Sequence, residues 1–347
     1  MTPVNLRDFE VEAALRLDPV YFDYFASGAQ DEVTVAANEA AFRSRTLIPR
    51  VLRGCREPRL DTVVFGRSMD MPVLLAPTAF HRLAHAEGEL ATARAAARAG
   101  VTMIAAMLST VTLEDIAKTG ASLWFQLYFQ PDLELTESLV RRAEKVGCRA
   151  IVITVDSPAL GRNERGDRNG FHALPPGITC PNLADRDGGV GDVRSVVLSP
   201  EISWWHIDWL RETTALPIVL KGVLHPTDAR IALQHGIDGL IVSNHGGRQL
   251  DTTPATLDRL AVVVDAVEGA IPVLVDGGVR RGTDIAKAMA LGAAAVAIGR
   301  PALWGLAVGG QEGVEQVLGL LRKELVNALT LLGSESPGHL TRDQVDP

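Results

Sequence analysis

Short runs of apolar residues recur along most of the chain, and within them apolar and polar residues do not alternate. Uninterrupted runs of this kind are typical of strands buried on both faces, as the strands of parallel sheets are. The pattern predicts eight strands, at residues 71–76, 101–105, 123–127, 150–155, 217–220, 239–242, 272–275 and 295–298.

Helical stretches lie between most of these runs. They are predicted at residues 87–99, 135–146, 227–234, 256–267 and 282–291. Open doubly wound sheets and closed barrels both alternate strands with helices, so the number of strands distinguishes them. Eight strands predict an α/β fold of the (β/α)8 TIM-barrel type, whose active site lies on the rim formed by the C-terminal ends of the strands.

The spacing of the strands predicts the domain organisation. We expect a single domain over residues 1–347, with an N-terminal helical extension at 1–65 and the barrel at 66–335. The longest gap follows the fourth strand and predicts an insertion at 157–216, which is rich in Asp and Gly at 184–191. Two interpretations of the insertion are open: a flexible surface segment, or a lid over the rim.

Composition narrows the class of protein. Of the 347 residues, 47% are hydrophobic and 22% charged, and the formal net charge is −8, which argues against nucleic-acid binding. No stretch has the form of a membrane span or of a signal peptide. The widely spaced Cys55, Cys148 and Cys180 indicate reduced thiols, with no disulfide and no metal site. We therefore expect a soluble cytoplasmic enzyme.

The segment SNHGGRQLD at 243–251 directly follows the sixth predicted strand. A histidine such as His245 can act as a proton acceptor, whereas the guanidinium of Arg248 can hold a carboxylate through two hydrogen bonds. Gly246 and Gly247 allow a tight turn between the two. A His-Gly-Gly sequence alone is more typical of an ordinary loop, but its position after a buried strand favours a catalytic site.

The loops after the seventh and eighth strands predict a phosphate site. They read DGGVRRG at 276–282 and Gly-Arg at 299–300, and TIM barrels commonly bind phosphate there through backbone amides and a helix N-terminus. A GxGxxG fingerprint after a strand is absent, so a dinucleotide site of the Rossmann type is not expected. Arg280, Arg281 and Arg300 either neutralise the phosphate or are solvated charges at helix starts.

A lysine at the end of the fifth predicted strand indicates what the phosphate belongs to. A lone buried ammonium is costly, so Lys221 needs an anionic neighbour. Two partners are open: an anionic ring system such as a reduced flavin, or a carboxylate on the rim. Gln126 and Thr154 end other strands and can donate hydrogen bonds to the heteroatoms of a flavin ring.

Seven segments together resemble the FMN-dependent α-hydroxy-acid oxidase and dehydrogenase family. They are YFDYFASGA at 21–29, APTA at 76–79, QLY at 126–128, TVD at 154–156, LKG at 220–222, SNHGGRQLD at 243–251 and DGGVRRG at 276–282. The resemblance runs from about residue 5 to 335. Within the family the chain most resembles the hydroxymandelate oxidases of actinobacterial glycopeptide-antibiotic pathways.

The resemblance implies roles for individual residues. His245 resembles the active-site base, which removes the hydroxyl proton as hydride leaves or, in the competing account, the α-proton. Asp156 resembles the carboxylate that orients this imidazole. Arg248 resembles the clamp on the substrate carboxylate, and Tyr24 and Tyr128 resemble the phenols that bind the carboxylate and the reacting oxygen. Without the family match, Tyr24 would be interpreted as an ordinary helix-packing aromatic.

The resemblance also implies FMN as the cofactor. Lys221 resembles the residue that stabilises negative charge on the reduced flavin. The remaining residues that resemble FMN contacts of the family are Pro77, Thr78, Ala79, Gln126, Thr154, Ser243, Asp276, Gly278, Arg280, Gly299 and Arg300.

One departure concerns the substrate carboxylate. Members usually have a second carboxylate-binding arginine seven positions after the aspartate, where this chain has Asn163. An amide can donate a hydrogen bond but carries no charge, so substrate binding should weaken. Alternatively, Arg162 or Arg165 takes the place of the missing guanidinium.

Other departures concern the flavin and the substrate side chain. Ala106 stands where members often have serine, which removes one flavin contact. Leu108 stands where glycolate-type members have tryptophan, which leaves room for a bulky group such as an aryl ring, and Phe80 can form a wall of that pocket. Leu108 and Phe80 are equally consistent with plain packing at the rim.

The expected reaction is the FMN-dependent oxidation of a 2-hydroxy acid, (S)-4-hydroxymandelate or mandelate, to the 2-oxo acid. Ala79 favours dioxygen as the acceptor, which would yield hydrogen peroxide. The alternatives are an oxidase of lactate or glycolate, a dehydrogenase that does not use dioxygen, an FMN-dependent isomerase, and a non-catalytic flavin-binding scaffold. The family resemblance also implies a homotetramer.

Overall fold

The computed structural model describes residues 3–54, 56–183 and 198–346, and it contains a closed barrel of eight parallel strands. In chain order, barrel strands 1 to 8 are Val73–Leu75, Thr102–Ala106, Ser122–Leu127, Ile151–Thr154, Ile218–Lys221, Gly239–Val242, Val273–Asp276 and Ala295–Ile298. Each strand pairs with the next, and strand 8 pairs with strand 1 through Val296 and Val73. The predicted TIM barrel is confirmed.

The ends of several strands differ slightly from the prediction. Strand 1 is shorter than the predicted 71–76, whereas strands 5 and 7 continue by one residue, to Lys221 and Asp276. Apolar character marks the buried middle of a strand, but the last residue of a strand on the rim can be polar and still pair with its neighbour. The two added residues, Lys221 and Asp276, therefore lie at the rim.

Helices surround the barrel and bury their apolar faces against it. The helix Leu133–Lys145 is representative: Asp132 caps its N-terminus, and Leu135, Leu139 and Val140 are buried. The helices that follow the barrel strands are Glu89–Ala99, Leu113–Ala117, Leu133–Lys145, Pro226–Gln234, Thr256–Val267, Gly282–Ala290 and Arg300–Leu332, the last with a kink at Gly309 and Gly310.

The interior of the barrel is a separate apolar cluster that includes Leu74, Ile104 and Trp124. A hairpin of the strands Thr62–Val64 and Arg67–Met69 contributes to this cluster, and the ring of Phe65 in its turn lies 5.2 Å from that of Trp124. The predicted boundary between extension and barrel, at 65 and 66, thus falls inside the turn of a hairpin that packs into the barrel. The two segments share a core.

The N-terminal extension consists of the helices Leu6–Arg16, Pro19–Ala26 and Val33–Ser44. The third helix is tied to the loop after barrel strand 6, because Asn38 and Asn244 exchange side-chain hydrogen bonds of 2.9 and 2.8 Å. At the other end of the chain, the short strand Val345–Asp346 pairs with Thr46–Leu47. The extension is therefore anchored on the rim of the barrel.

The predicted insertion contains the helices Glu164–Arg168 and Trp204–Thr213 and a 3-10 turn at Pro181–Leu183. Its Asp- and Gly-rich stretch at 184–191 lies outside the described residues, and the choice between a surface segment and a lid stays open. Within the described ranges, no helix has both the length and the apolar character that crossing a bilayer requires.

Candidate active site

A cavity of about 460 Å³ opens on the C-terminal rim of the barrel. Its wall includes every predicted site residue except Asp156, Thr154 and Ser243. These three each bond to a residue of the wall: Asp156 to His245, Thr154 to Gln126 at 3.0 Å, and Ser243 to Lys221 at 2.9 Å. Residues from seven barrel loops, from the end of strand 5 and from the N-terminal extension thus surround one space.

His245 and Asp156 form a hydrogen-bonded pair. Nδ1 of His245 lies 2.9 Å from Oδ1 of Asp156. Burial raises the pKa of Asp156, but attraction to His245 and the hydrogen bond from it outweigh burial and lower the pKa below its usual value. Because an ionised carboxylate only accepts hydrogen bonds, Nδ1 carries a proton and Nε2 is left as the basic nitrogen.

The backbone around His245 adopts left-handed conformations. His245 has a φ of 60°, Gly246 of 63° and Gly247 of 76°. A Cβ on Gly247 would lie 2.7 Å from the backbone nitrogen of Val35, so glycine is needed for the close contact with the extension. The glycines therefore allow the tight turn that the sequence indicated, and they dock the loop on the helix Val33–Ser44.

Arg248 lies over the ring of Tyr24, with Cζ 5.1 Å from the ring centroid. Its Nη1 donates to the carbonyl oxygens of Tyr24 at 2.8 Å and Ser27 at 2.9 Å. Burial raises the pKa of both Tyr24 and Tyr128, so both phenols stay protonated and can donate hydrogen bonds. Tyr24 lines the cavity and does not merely pack the helix Pro19–Ala26.

Lys221 has a carboxylate partner on the rim. Its ammonium lies 3.3 Å from Oδ2 of Asp276 and donates to Oγ of Ser243 at 2.9 Å. These contacts account for its burial without a ligand, so burial of the lysine alone is not evidence for a flavin. The ammonium still lines the cavity, and Oδ1 of Asp276 is buried without a hydrogen-bond partner in the described part of the chain.

Two arginines give one end of the cavity a positive charge. Arg300 donates to the carbonyl oxygens of Phe25, Ser27 and Gly246, and burial together with repulsion from Arg248 and Arg280 lowers its pKa to about 9. Nε of Arg280 is buried and unpartnered among the described residues. A bound dianion such as a phosphate would offset the repulsion among the arginines and would accept a hydrogen bond from Nε of Arg280.

Arg281 does not belong to this group. Its guanidinium is 45% exposed and pairs with Glu324 at 2.5 Å. The interpretation as a solvated charge at the start of the helix Gly282–Ala290 therefore holds for Arg281, whereas Arg280 and Arg300 line the cavity.

The wall of the cavity fits the groups of FMN. The positive end suits a phosphate, the unpartnered oxygen of Asp276 can accept from a hydroxyl of the ribityl chain, and Gln126 and Lys221 can meet ring heteroatoms. Thr154 supports Gln126 and does not reach the cavity itself. Other predicted cofactor residues that line the cavity are Pro77, Thr78, Ala79, Gly278 and Gly299.

Aromatic rings form a further part of the cavity wall. The ring of Tyr24 lies 5.7 Å from that of Phe80 and 5.3 Å from that of Phe171. Leu108 lines the same space, and its carbonyl oxygen accepts from the backbone nitrogen of Phe80 at 3.3 Å. Leu108 and Phe80 therefore do both things considered for them: they pack at the rim and they face the cavity.

Asn163 lines the cavity and caps a helix. Its Oδ1 accepts from the backbone nitrogen of Gly166 at 3.0 Å, at the start of Glu164–Arg168. Arg165 is paired with Asp23 at 3.4 Å and Glu32 at 2.5 Å and does not line the cavity, so it does not replace a second carboxylate-binding arginine. Arg162 lines the cavity and remains a candidate for that role.

Sequence analysis missed several residues of the site, among them Phe171, Ser157 and His81. Phe171 and Ser157 line the cavity but lie in the insertion, where no periodic pattern identifies them. His81 is buried behind the wall: Nε2 lies 2.6 Å from the Thr78 hydroxyl, and Nδ1 lies 3.0 Å from that of Thr92. A histidine in a loop carries no signal of such contacts.

The chain was compared with known proteins. The model of the family described as FMN-dependent dehydrogenase matches residues 13–347. An L-lactate oxidase of Nostoc sp. is 47% identical, over 96% of this chain and 95% of the relative. The human 2-hydroxyacid oxidase 1 is 45% identical, over 96% and 94%.

Solved structures of mandelate oxidase are also similar. One, in complex with (S)-2-phenylpropionate, superposes with a TM-score of 0.93 at 45% identity and covers 99% of this chain and 98% of that one. A second, with benzoyl-formic acid, has the same TM-score, identity and coverage. The cavity, the family match and these relatives lead to one conclusion. The chain belongs to the FMN-dependent dehydrogenase family, with FMN as its cofactor.

Proposed function

We propose that this FMN-dependent 2-hydroxy-acid oxidase acts on an (S)-2-hydroxy acid with an aryl side chain, (S)-mandelate or (S)-4-hydroxymandelate, and forms the 2-oxo acid. The observation that carries the proposal is the aromatic wall of Tyr24, Phe80 and Phe171, which lies in the same cavity as His245 and Arg248. Aryl rings pack favourably on such a wall in offset or edge-to-face arrangements. The similarity to mandelate oxidase structures supports this substrate class.

Each residue of the site has its own role in the proposed reaction. Arg248 binds the substrate carboxylate, and the protonated phenols of Tyr24 and Tyr128 donate hydrogen bonds to the carboxylate and the reacting oxygen. His245 takes the hydroxyl proton on Nε2, and the ionised Asp156 stabilises the imidazolium that forms. When bound, FMN supplies the acceptor for the two electrons that leave the substrate carbon.

Dioxygen is the proposed final acceptor, and it is reduced to hydrogen peroxide. Support comes from Ala79 in the cavity wall and from relatives that are named oxidases. The proposal is tested by following oxygen uptake and peroxide release during turnover. An enzyme that bleaches with substrate under anaerobic conditions but stays reduced in air would instead be a dehydrogenase with another acceptor.

A small aliphatic substrate is the second candidate. The L-lactate oxidase at 47% identity and the human 2-hydroxyacid oxidase 1 at 45% favour it. These relatives cover nearly the whole chain, so overall similarity does not separate the candidates. Leu108 and Phe171 both line the cavity, and we propose that their side chains separate the candidates by shaping the space for the substituent on the reacting carbon.

The decisive experiment is anaerobic bleaching of the yellow FMN-loaded protein by glycolate, by each enantiomer of lactate, and by each enantiomer of mandelate and 4-hydroxymandelate. We expect the highest ratio of reduction rate to dissociation constant for an (S)-mandelate. A higher ratio for (S)-lactate would establish the aliphatic candidate. Absence of bleaching by every 2-hydroxy acid would overturn both and leave the isomerase or the scaffold.

We also propose that the protein assembles as a homotetramer, as the family resemblance implies. Analytical ultracentrifugation of the FMN-loaded protein should give a mass four times that of the 347-residue chain. A monomeric or dimeric mass would contradict this assembly.

A further inference from the structure

Ser157 follows Asp156 directly and lies between the residues that handle the proton. Its hydroxyl donates to Oδ1 of Asp156 at 3.1 Å and lies 3.5 Å from Nδ1 of His245. It also lines the cavity and is within hydrogen-bonding reach of the Tyr128 phenol. The side chain is buried, with 7% of the residue exposed.

The two donors to Asp156 meet on the same oxygen. Oδ1 accepts from both His245 and Ser157, whereas Oδ2 is buried without a partner in the described ranges. A carboxylate can rotate to exchange its oxygens, and the hydroxyl of Ser157 opposes that rotation by holding Oδ1 toward the imidazole. It also withdraws charge from the oxygen that faces His245, because a hydrogen bond stabilises the ionised form.

We infer that Ser157 is a positioning residue that holds Oδ1 of Asp156 toward His245 and so sets how strongly His245 takes the substrate proton. The inference rests on the proposed function, in which His245 is the base. Without the hydroxyl, more charge resides on Oδ1 and the imidazolium of His245 is better stabilised. The imidazole then loses its proton only at higher pH.

Other charged and titratable groups act on this cluster or line the same cavity. They are Lys221 and Asp276 from the ends of strands 5 and 7, Tyr128 after strand 3, Tyr24 from the extension, and Arg248 and Arg300 from the loops after strands 6 and 8. All of them are present in both the parent and a Ser157 variant. A shift in the titration of His245 between the two therefore reports the hydroxyl.

The test compares Ser157→Ala with Ser157→Thr, which keeps the hydroxyl and adds a methyl group. Stopped-flow reduction of the FMN-loaded protein by the best substrate is measured from pH 5 to 10. In Ser157→Ala the acid limb should move up by about half to one pH unit, since a hydrogen bond of this kind is worth that much. At pH values on the acid limb, the reduction rate of Ser157→Ala should be about 3- to 10-fold lower than that of the parent, and at high pH the two rates should be equal. The substrate dissociation constant should be unchanged.

Ser157→Thr should retain the parent profile. If Ser157 only packs, the opposite pattern is expected. Ser157→Ala would then have the reduction rate of the parent, and Ser157→Thr would have a lower reduction rate by the same factor at every pH. A Ser157→Ala profile that superposes on the parent profile would overturn the inference.

A second measurement does not depend on turnover. In the FMN-loaded protein with labelled histidine, the ring resonance of His245 is assigned by its absence in His245→Gln and is titrated by NMR. The midpoint should rise by the same half to one unit in Ser157→Ala. If no 2-hydroxy acid bleaches the parent, the proposed function fails while this titration still decides the role of Ser157. An unchanged midpoint would overturn it.

Discussion

His245 holds its position in a backbone conformation that side chains rarely adopt, with a φ of 60°. Left-handed conformations of residues other than glycine cost of order 1–3 kcal/mol in sparsely populated regions and persist where neighbouring contacts enforce them. Those contacts are visible here: Asp156 holds Nδ1, and Ser243 Oγ accepts from the backbone nitrogen of His245 at 3.1 Å. The strain therefore lies at the residue that we propose takes the substrate proton.

We expect His245→Ala to retain FMN and to lose most flavin reduction. The positive end of the cavity, where we expect the phosphate of FMN, is built from Arg280 and Arg300, whereas loss of a general base typically costs about 10²–10⁴-fold. Bound FMN is measured from the absorbance of the purified protein, and the reduction rate by anaerobic stopped flow. A variant that reduces within tenfold of the parent would show that another group takes the proton.

Leu108 is the residue at which we expect substrate size to be decided. Leu108→Trp should weaken the use of (S)-mandelate far more than that of (S)-lactate, because the larger ring fills the space beside Phe80 and leaves the contacts to the carboxylate unchanged. The ratio of the two catalytic efficiencies is the measurement. Leu108→Met, which conserves volume, is the matched control and should change the ratio little. Equal losses on both acids in Leu108→Trp would mean that position 108 does not shape the substrate pocket.

At the scale of elements, the short helix Glu164–Arg168 links the insertion to the cavity. Asn163 caps it through Gly166, and Arg165 ties it to Asp23 of the helix Pro19–Ala26. The segment therefore places a polar side chain in the cavity wall and at the same time fastens the insertion to the N-terminal extension. We therefore expect a substitution at Asn163 to change both substrate binding and local stability.

We expect Asn163→Arg to tighten the binding of substrate carboxylate by about one to two decades, since charge-assisted hydrogen bonds are worth roughly 1.5–3 kcal/mol. Loss of the cap should lower the free energy of unfolding by about 1 kcal/mol. Titration of flavin bleaching and thermal unfolding measure the two effects. Asn163→Ser keeps a capping side chain and is the control, expected to retain stability without the gain in affinity.

The alternatives at this helix make different predictions. If Arg162 already holds the carboxylate, Asn163→Arg leaves affinity unchanged and Arg162→Ala weakens it. Arg165→Ala should lower stability and leave the substrate dissociation constant unchanged, because its partners are Asp23 and Glu32.

At the scale of the whole molecule, buried polar groups support the cavity from behind. His81 is 2% exposed, and burial lowers its pKa. Nearby Glu89 is fully buried and accepts hydrogen bonds from the backbone nitrogens of His81 at 3.1 Å and of Thr110 at 2.8 Å. These bonds join the loop after strand 1, the helix Glu89–Ala99 and the loop after strand 2 behind Thr78.

The lowered pKa of His81 predicts a dependence of stability on pH. The unfolded chain takes up a proton at this residue near the ordinary pKa of 6.5, whereas the folded protein does so only at lower pH. Its contribution to stability is thus complete above about pH 6.5 and is lost as the pH falls below it, with a slope of at most about 1.4 kcal/mol per pH unit.

Urea unfolding of the parent and of His81→Gln at pH 7, 6 and 5 measures this contribution. The parent should lose more stability between pH 7 and 5 than His81→Gln, in which an amide replaces the imidazole and other histidines are unchanged. Parallel losses in the two proteins would show that His81 does not control the acid sensitivity.

The sequence by itself determined the barrel and the residues of its rim. Strands buried on both faces are apolar throughout, so their positions are readable locally, and the residue after each strand lies on the rim because all strands of the barrel are parallel. Two strands, 239–242 and 295–298, have the predicted ends, and the helix 256–267 does as well. Lys221, His245 and Asp276 were identified from this logic alone or with the family motifs.

Only the tertiary structure decided which side chains meet. The pairing of Lys221 with Asp276 joins residues from strands 5 and 7, and the ties of Arg165 to the extension join segments more than 130 positions apart in the chain. Such contacts depend on how distant segments pack, and no local pattern encodes them. Phe171 and Ser157 are further examples, because the insertion that contains them has no periodicity and its side chains reach the cavity only through the folded loop.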